Sequence, residues 1–320
     1  MGCCSSLMLR PLSSPASTST SVAEPTSRRG ARDPIVVIDF RIQPPYRSLL
    51  DVHFFRPRPR VEDPVHGNPF ALHRETPPSF HESSIELFLA EMEEAGIEHA
   101  VILGQRGAEK WGNASNDDIA DLVNTYPERF TGFGGIDPNA DVLAEAKRIR
   151  YDLGLTGIAL VSGWGDPPVH DDAPRLMPLY GWCAERKIPV AFTSSHFIGA
   201  DMLHSHPVHL QRVAMEYPDL RLIIAHGGWP WTAAACALAM RCTNVYLMPE
   251  FYMYLPDMPG ARDYIDAANG FLRHRMLYSS CYPSNSLNRA LTLFRSLPLS
   301  DVSQGNLLHH NAARLLEEVK

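Results

Sequence analysis

From Ile35 onward, short apolar runs alternate with amphipathic stretches, and this alternation constrains the fold more than any other feature of the chain. The strand-like runs are eight: Ile35–Ile38, His99–Leu103, Phe130–Gly134, Gly157–Val161, Pro189–Thr193, Leu220–Ala225, Val245–Met248 and Met276–Ser279. Between them the apolar positions recur at helical spacing, as in Ser79–Ala95, where Ile85, Phe88, Leu89 and Met92 share one face and Gly96 ends the pattern. Further helices are expected over 116–126, 141–151, 173–186, 207–217, 232–241, 262–272 and 285–294. Connections of this length bring successive strands together in parallel, because a parallel crossover needs a dozen residues or more. Eight such units predict an α/β chain closed into a (β/α)8 TIM barrel. A doubly wound open sheet is the alternative, but no Gly-rich dinucleotide turn follows any strand. Gly134-Gly135 and Gly227-Gly228 lack that fingerprint.

The flanking segments differ in character. Ser, Thr, Ala and Pro dominate 13–26, so residues 1–34 read as a disordered leader, and 35–320 as one barrel with an insertion at about 43–78. Met1-Gly2-Cys3-Cys4 matches a lipidation signal, and Arg10, Arg28 and Arg29 before or beside a single early acid suit an organellar leader; a start-site extension is the third reading. Membrane contact is expected only through such a lipidated terminus, and a cytoplasmic location otherwise. The net charge of −7 argues against a nucleic-acid surface. Six cysteines without disulfide-framework spacing read as reduced thiols.

In a barrel the strand C-termini carry the chemistry. Arg41 and Gln43 fall after the first strand, Gln105 and Arg106 after the second and Asp137 after the third. Trp164 and Asp166 follow the fourth, Thr193 and His196 the fifth, and His226 the sixth, with Trp229 just beyond. Glu250 follows the seventh strand, and Cys281 and Tyr282 the eighth. Polar groups so far apart in sequence, converging on one mouth, are what a ligand site requires.

Ile224-Ala225-His226-Gly227-Gly228, the turn Ser280-Cys281-Tyr282-Pro283 and the terminal Asn311-Ala312-Ala313-Arg314-Leu315-Leu316 resemble the amidohydrolase-related family 2. That family includes aminocarboxymuconate-semialdehyde decarboxylase, resorcylate-type decarboxylases and pyrone-dicarboxylate lactonase. The likeness spans most of 35–316 and implies a (β/α)8 barrel acting on small carboxylated rings or unsaturated acids. Many members bind Zn or Mn through Asp-x-His-x-His after strand one, a His after strand five, a His after strand six and an Asp after strand eight. Here the first motif reads Asp39-Phe40-Arg41-Ile42-Gln43, the strand-five His falls near Thr193, and the strand-eight Asp is Cys281; only His226 is retained. A guanidinium has no lone pair to give a metal.

The expectation is therefore a metal-independent decarboxylase or hydrolase with no cofactor, and Cys281, His226 and His196 as the alternative Zn-binding set. Arg41 is expected to clamp a carboxylate, His226 to act as acid or base, Cys281 as a nucleophile, and Glu250 to accept a proton, orient His226 or neutralise Arg41. Gln43, Arg106, Trp164, Asp166, Thr193, His196, Trp229 and Tyr282 are expected to line the substrate pocket. A small carboxylate is the expected partner, and the resemblance allows a homodimer. The alternative function is an inactive, ligand-binding or regulatory relative. The dense His204, His206 and His209 group reads as a solvated helix start.

Overall fold

The computed structural model describes residues 36–52 and 76–318. The leader, most of the insertion after the first strand, and the expectations attached to Gly2, Cys3 and Cys4 lie outside those residues. Seven strands pair in chain order, all parallel: β1 Val37–Ile42, β2 Ile97–Leu103, β3 Phe130–Ile136, β4 Gly157–Leu160, β5 Val190–Thr193, β6 Leu222–Ala225 and β7 Val245–Met248.

The eighth expected strand is irregular. The segment 276–282 touches β7 through a bridge between Leu247 and Met276, and β1 through a bridge between Ile42 and Tyr282. Backbone bonds from Leu277 N to Leu247 O (2.9 Å), Phe40 N to Tyr278 O (3.0 Å) and Gln43 N to Tyr282 O (2.9 Å) carry it across the gap. The sheet thus curls into a (β/α)8-like barrel that is only partly closed. Side chains supply what the ladder lacks at this seam. Ser279 Oγ donates to Arg41 O, Ser280 N to Asp39 Oδ1, Cys281 N to Ser279 Oγ and Tyr282 N to Ser280 Oγ, all at 3.0–3.1 Å. Pro283 has no N–H to extend a ladder, which is one reason the strand stops there.

Alternation along the strands separates two apolar layers. Ile38, Phe40, Val101, Leu103, Phe133, Ala159, Ala191, Ile223, Tyr246 and Leu277 fill the barrel interior, with Phe40 and Phe133 edge-to-face at 5.9 Å. Their neighbours Val37, Ile102, Ile158, Leu160, Val190, Phe192, Leu222 and Leu247 face the opposite way and pack with helix residues such as Phe88, Met92, Leu122, Leu210 and Leu238. The expected helix 79–95 is two pieces, Pro78–His81 and Ile85–Ala95. Ser84 Oγ accepts from Leu87 N at 3.2 Å and starts the second, and Gly96 at φ 69° ends it. Among the described residues, no helix is long and apolar enough to cross a membrane.

β1 runs four residues further than its apolar run suggests, so Arg41 lies inside the strand. Asp39 aligns with Ala100 and Ile42 with Ile102, three steps on β1 against two on β2. That extra residue is a bulge, a device that re-aims a side chain at a barrel rim.

Candidate active site

At the ends of β1, β6, β7 and the eighth segment, four side chains meet around one atom. Arg41 Nη1 lies 3.1 Å from His226 Nε2, 3.2 and 3.0 Å from the two oxygens of Glu250, and 3.1 Å from Cys281 Sγ. Glu250 Oε2 is also 2.7 Å from His226 Nδ1, and Glu250 Oε1 accepts from the His226 backbone N–H at 3.4 Å. All four residues are buried. A guanidinium can only donate, so His226 Nε2 accepts from Arg41 and the imidazole proton sits on Nδ1, the nitrogen that faces the Glu250 carboxylate. Glu250 thus lies beside both partners expected for it, 2.7 Å from His226 Nδ1 and 3.0 Å from Arg41 Nη1.

Burial alone would push the Glu250 carboxyl up, but the Arg41 guanidinium and then the His226 ring beside it overrule it, and the group is held at about 2. Burial works against the Arg41 charge, and Glu250 more than restores it, so its pKa rises. The cluster thus holds one guanidinium and one carboxylate in a dry setting where each depends on the other.

Backbone conformation marks the same residues. His226 (φ 62°), Glu250 (φ 57°) and Cys281 (φ 56°) all take positive φ, which costs a residue with a Cβ of the order of 1–3 kcal/mol. Each stands where a strand turns sharply into the following loop. Gly227 and Gly228 follow His226 at φ 63° and 77°, and a Cβ on Gly227 would stand 2.8 Å from Tyr264 Oη. A tight turn there needs glycine.

The remaining expected residues divide. His196 joins the neighbourhood of the cluster. Its Nδ1 is 3.2 Å from Tyr252 Oη, its ring is 4.7 Å from Trp229, and burial above all lowers it to about 4. Trp229 stacks on Tyr252 at 4.8 Å, and the Tyr252 ring meets His226 edge-on at 5.7 Å. Thr193 is half-buried at the end of β5.

The other five stand apart from Arg41. Gln43 turns its amide back to Leu49 O at 3.4 Å. Trp164 stacks on Trp111 at 4.8 Å and donates to Phe197 O. Asp166 is exposed. Arg106 lines a cavity of about 320 Å³ with Asp137, Glu145 and Arg148. Tyr282 is buried against Phe88 at 4.6 Å, with its hydroxyl 2.6 Å from Ser79 Oγ.

Two residues outside the expected set belong to the site's surroundings. Tyr252 is the panel between His226 and His196, and its place two residues after Glu250 was its only sequence signal. Asp39 lies beneath, fully buried, accepting from Arg41 N (3.3 Å) and Ser280 N (3.0 Å), and burial raises it to about 6. As the first residue of the Asp-x-His-x-His-like stretch, it was visible in sequence.

One expectation is corrected here. The loss of every family ligand but His226 suggested that metal chemistry was gone, yet His226, Glu250 and Cys281 bring an N, an O and an S ligand atom within 4.8 Å of one another, a buried candidate metal site. Imidazole, carboxylate and thiolate are a donor set that suits a borderline divalent ion. The expected alternative set took His196 as third member; Glu250 stands there instead. Solved structures of the same fold hold manganese. One is the 5-carboxyvanillate decarboxylase of Novosphingobium aromaticivorans, complexed with manganese and 4-hydroxy-3-methoxy-5-nitrobenzoic acid; it is 16% identical at TM-score 0.64, over 90% of this chain and 97% of that one. The metal-independent reading therefore does not stand.

Two further comparisons bracket the relationship. An uncharacterized TIM-barrel protein from Bordetella bronchiseptica matches at 36% identity and TM-score 0.81, over 88% of this chain and 99% of its own. The gamma-resorcylate decarboxylase of Rhodococcus jostii is 23% identical over 249 residues, 63% of this chain and 75% of that protein. An enzyme of the lyase or hydrolase type, as the sequence implied, is in keeping with these relatives. The amidohydrolase family model matches residues 50–317, and on that extent of match, over this barrel, the chain belongs to the amidohydrolase-related family.

Proposed function

We propose that the chain removes carbon dioxide from a small carboxylated ring or unsaturated acid. The observation that carries this reading is the convergence of Arg41, His226, Glu250 and Cys281 on one buried point, with an aromatic wall beside it. Relatives that decarboxylate ring acids, the gamma-resorcylate and 5-carboxyvanillate decarboxylases, favour loss of carbon dioxide over hydrolysis, and a further relative, a 2-keto-4-carboxy-3-hexenedioate hydratase of Sphingobium, acts on an unsaturated acid.

A planar guanidinium pairs naturally with a carboxylate, so Arg41 suits an acid substrate arriving at the mouth. Trp229 and Tyr252 offer flat faces on which a ring can rest. His226, with its proton on Nδ1 and Glu250 behind it, presents a basic Nε2. That atom can take a proton from a substrate hydroxyl or water and return it to the ring carbon. The C–C electron pair stays on that carbon, the proton joins it there, and carbon dioxide leaves. Glu250 stabilises the imidazolium formed in between, and burial keeps bulk water from competing. A divalent ion held by His226, Glu250 and Cys281 would add Lewis-acid polarisation of a substrate oxygen; it would also occupy the Nε2 lone pair, so while the ion is held the proton would come from the substrate hydroxyl or water and not from His226.

The test is a panel of hydroxybenzoates and short unsaturated acids incubated in D2O with the zinc- or manganese-loaded protein. Deuterium appearing on the former carboxyl-bearing carbon, together with a loss of about 10²–10⁴-fold in His226→Gln, supports the reading. Cleavage of ring esters or lactones without carbon dioxide release would replace it with hydrolysis, and turnover of neither class would end it.

A further inference from the structure

The guanidinium of Arg41 stands where a cation is wanted. Its Nη1 is 3.0–3.2 Å from an imidazole nitrogen, two carboxylate oxygens and a sulfur, and these atoms include every residue of the candidate metal set. We propose that Arg41 is a tethered counter-ion that competes with a divalent metal for His226, Glu250 and Cys281, so that an inward guanidinium and a bound ion exclude each other.

Volume supports this first. A zinc ion needs its nitrogen and oxygen ligands at about 2.0–2.2 Å and its sulfur at about 2.3 Å. The donors stand about 1 Å further out than that, spread around a nitrogen that fills the centre. Drawing them in onto an ion requires the nitrogen to leave.

Charge supports it independently. The set contains one firmly ionised carboxylate, and Arg41 already satisfies it. A metal arriving beside a guanidinium would meet a like charge at close range in a buried place, where repulsion is poorly screened. Lone pairs add a third constraint: His226 Nε2 now accepts from Arg41, and the same lone pair cannot also bind a metal.

Arg41 has the means to move. Its side chain keeps 11% of its surface exposed, whereas that of Glu250 keeps none. It hangs from a bulged strand end on a long, flexible stem, so it can withdraw without disturbing the ladder. The competition also explains how a chain with an Arg in place of an expected His still keeps a convergent donor set. The Arg supplies beside Glu250 the positive charge that a bound cation would otherwise provide.

This inference does not depend on which reaction the site performs, and its test reads metal binding. Full-length protein, stripped with a chelator, would be titrated with cobalt(II), whose thiolate charge-transfer absorption reports a bond to Cys281. Arg41→Gln is expected to bind at least about tenfold more tightly than wild type, Arg41→Lys to stay within about threefold of it, and the absorption to vanish in the Arg41→Gln, Cys281→Ser double variant. Equal or weaker binding by Arg41→Gln, an absorption that survives Cys281→Ser, or no cobalt uptake in any variant would each overturn the proposal. A measurement on the wild type stands beside the variants, should Arg41→Gln fold poorly. The ¹⁵N resonances of the Arg41 guanidinium are followed as zinc is added. Loss of the buried, hydrogen-bonded signal on zinc uptake is expected, and an unchanged signal at saturating zinc would sink the idea.

Discussion

Two groups of histidines occupy the connections that follow the strands, and they are built differently. After β4 and β5, His170 stacks between His204 (4.4 Å) and His209 (4.1 Å), while Asp172 pairs with His209 at 2.9 Å and with the exposed Arg212. At the barrel mouth a single histidine, His226, is locked among an Arg, a Glu and a Cys. The first group is rich in imidazoles but similar in chemistry. Its rings lie face to face, which turns their nitrogens away from any shared point. The second is poor in imidazoles but mixed, and its polar atoms point inward. Convergence of unlike donors, and not the density of histidines, is what distinguishes a reactive site from a polar surface.

The sharpest way to break that comparison is to remove the carboxylate at the mouth. Glu250→Gln leaves the Arg41 charge buried without its partner, which costs about 3–5 kcal/mol. Urea denaturation should register the loss, and a change under about 1 kcal/mol would mean that Arg41 finds other company or water.

Acid offers a milder test of the same pair. Glu250 titrates at about 2 in the fold against an ordinary value of 4.5, so its stabilising contribution is complete above pH 4.5 and is lost as pH falls towards 2. Asp39 acts in the opposite sense. Its pKa is raised to about 6, so the stability that its neutral form lends is complete below about 3.8 and is lost as pH rises through 6. Unfolding free energies measured at pH 8, 5 and 3 should therefore peak near the middle value, and Glu250→Gln should flatten the acid limb alone. An acid limb of equal slope in that variant would assign it to other carboxylates.

The smallest effect is expected at the stacked histidines. Asp172→Asn removes an ion pair whose partner Arg212 is 70% exposed, and such pairs contribute no more than about 1 kcal/mol. Turnover should not change. A stability loss above about 2 kcal/mol would show that this group anchors the fold after all.

Much of this architecture was legible in the sequence, because period-two and period-3.6 patterns report burial directly. β7 and the helix Thr232–Arg241 have the expected bounds, the strand because it is apolar throughout and the helix because an unbroken small and apolar run from Ala233 to Met240 fills it. The misjudged elements are those in which polar atoms replace the pattern. β1 continues through Asp39 and Arg41, two charged residues that become acceptable in a buried strand only once Ser280 and Glu250 arrive from far along the chain. The eighth segment looks like a strand but is held by Ser279 and Ser280 side chains.

The site followed the same rule. Arg41, His226, Glu250 and Cys281 could each be named from position, while their common focus could not, because it depends on a bulge and three left-handed backbone turns. Replacement of four of five ligand positions, all but His226, suggested that the metal had gone. The donors that remained, brought together by the fold, show why counting replaced residues misleads.

The seam between β1 and the eighth segment can form only late in the protein's synthesis. Arg41 leaves the ribosome early, but Glu250 follows 209 residues later and Cys281 240 residues later. At roughly 5–20 residues per second, that guanidinium spends roughly ten to fifty seconds without the partners that make its burial tolerable. The first strand of the barrel is accordingly among the last parts of the molecule that can settle, and the reactive centre comes into being in the same moment that the barrel meets itself.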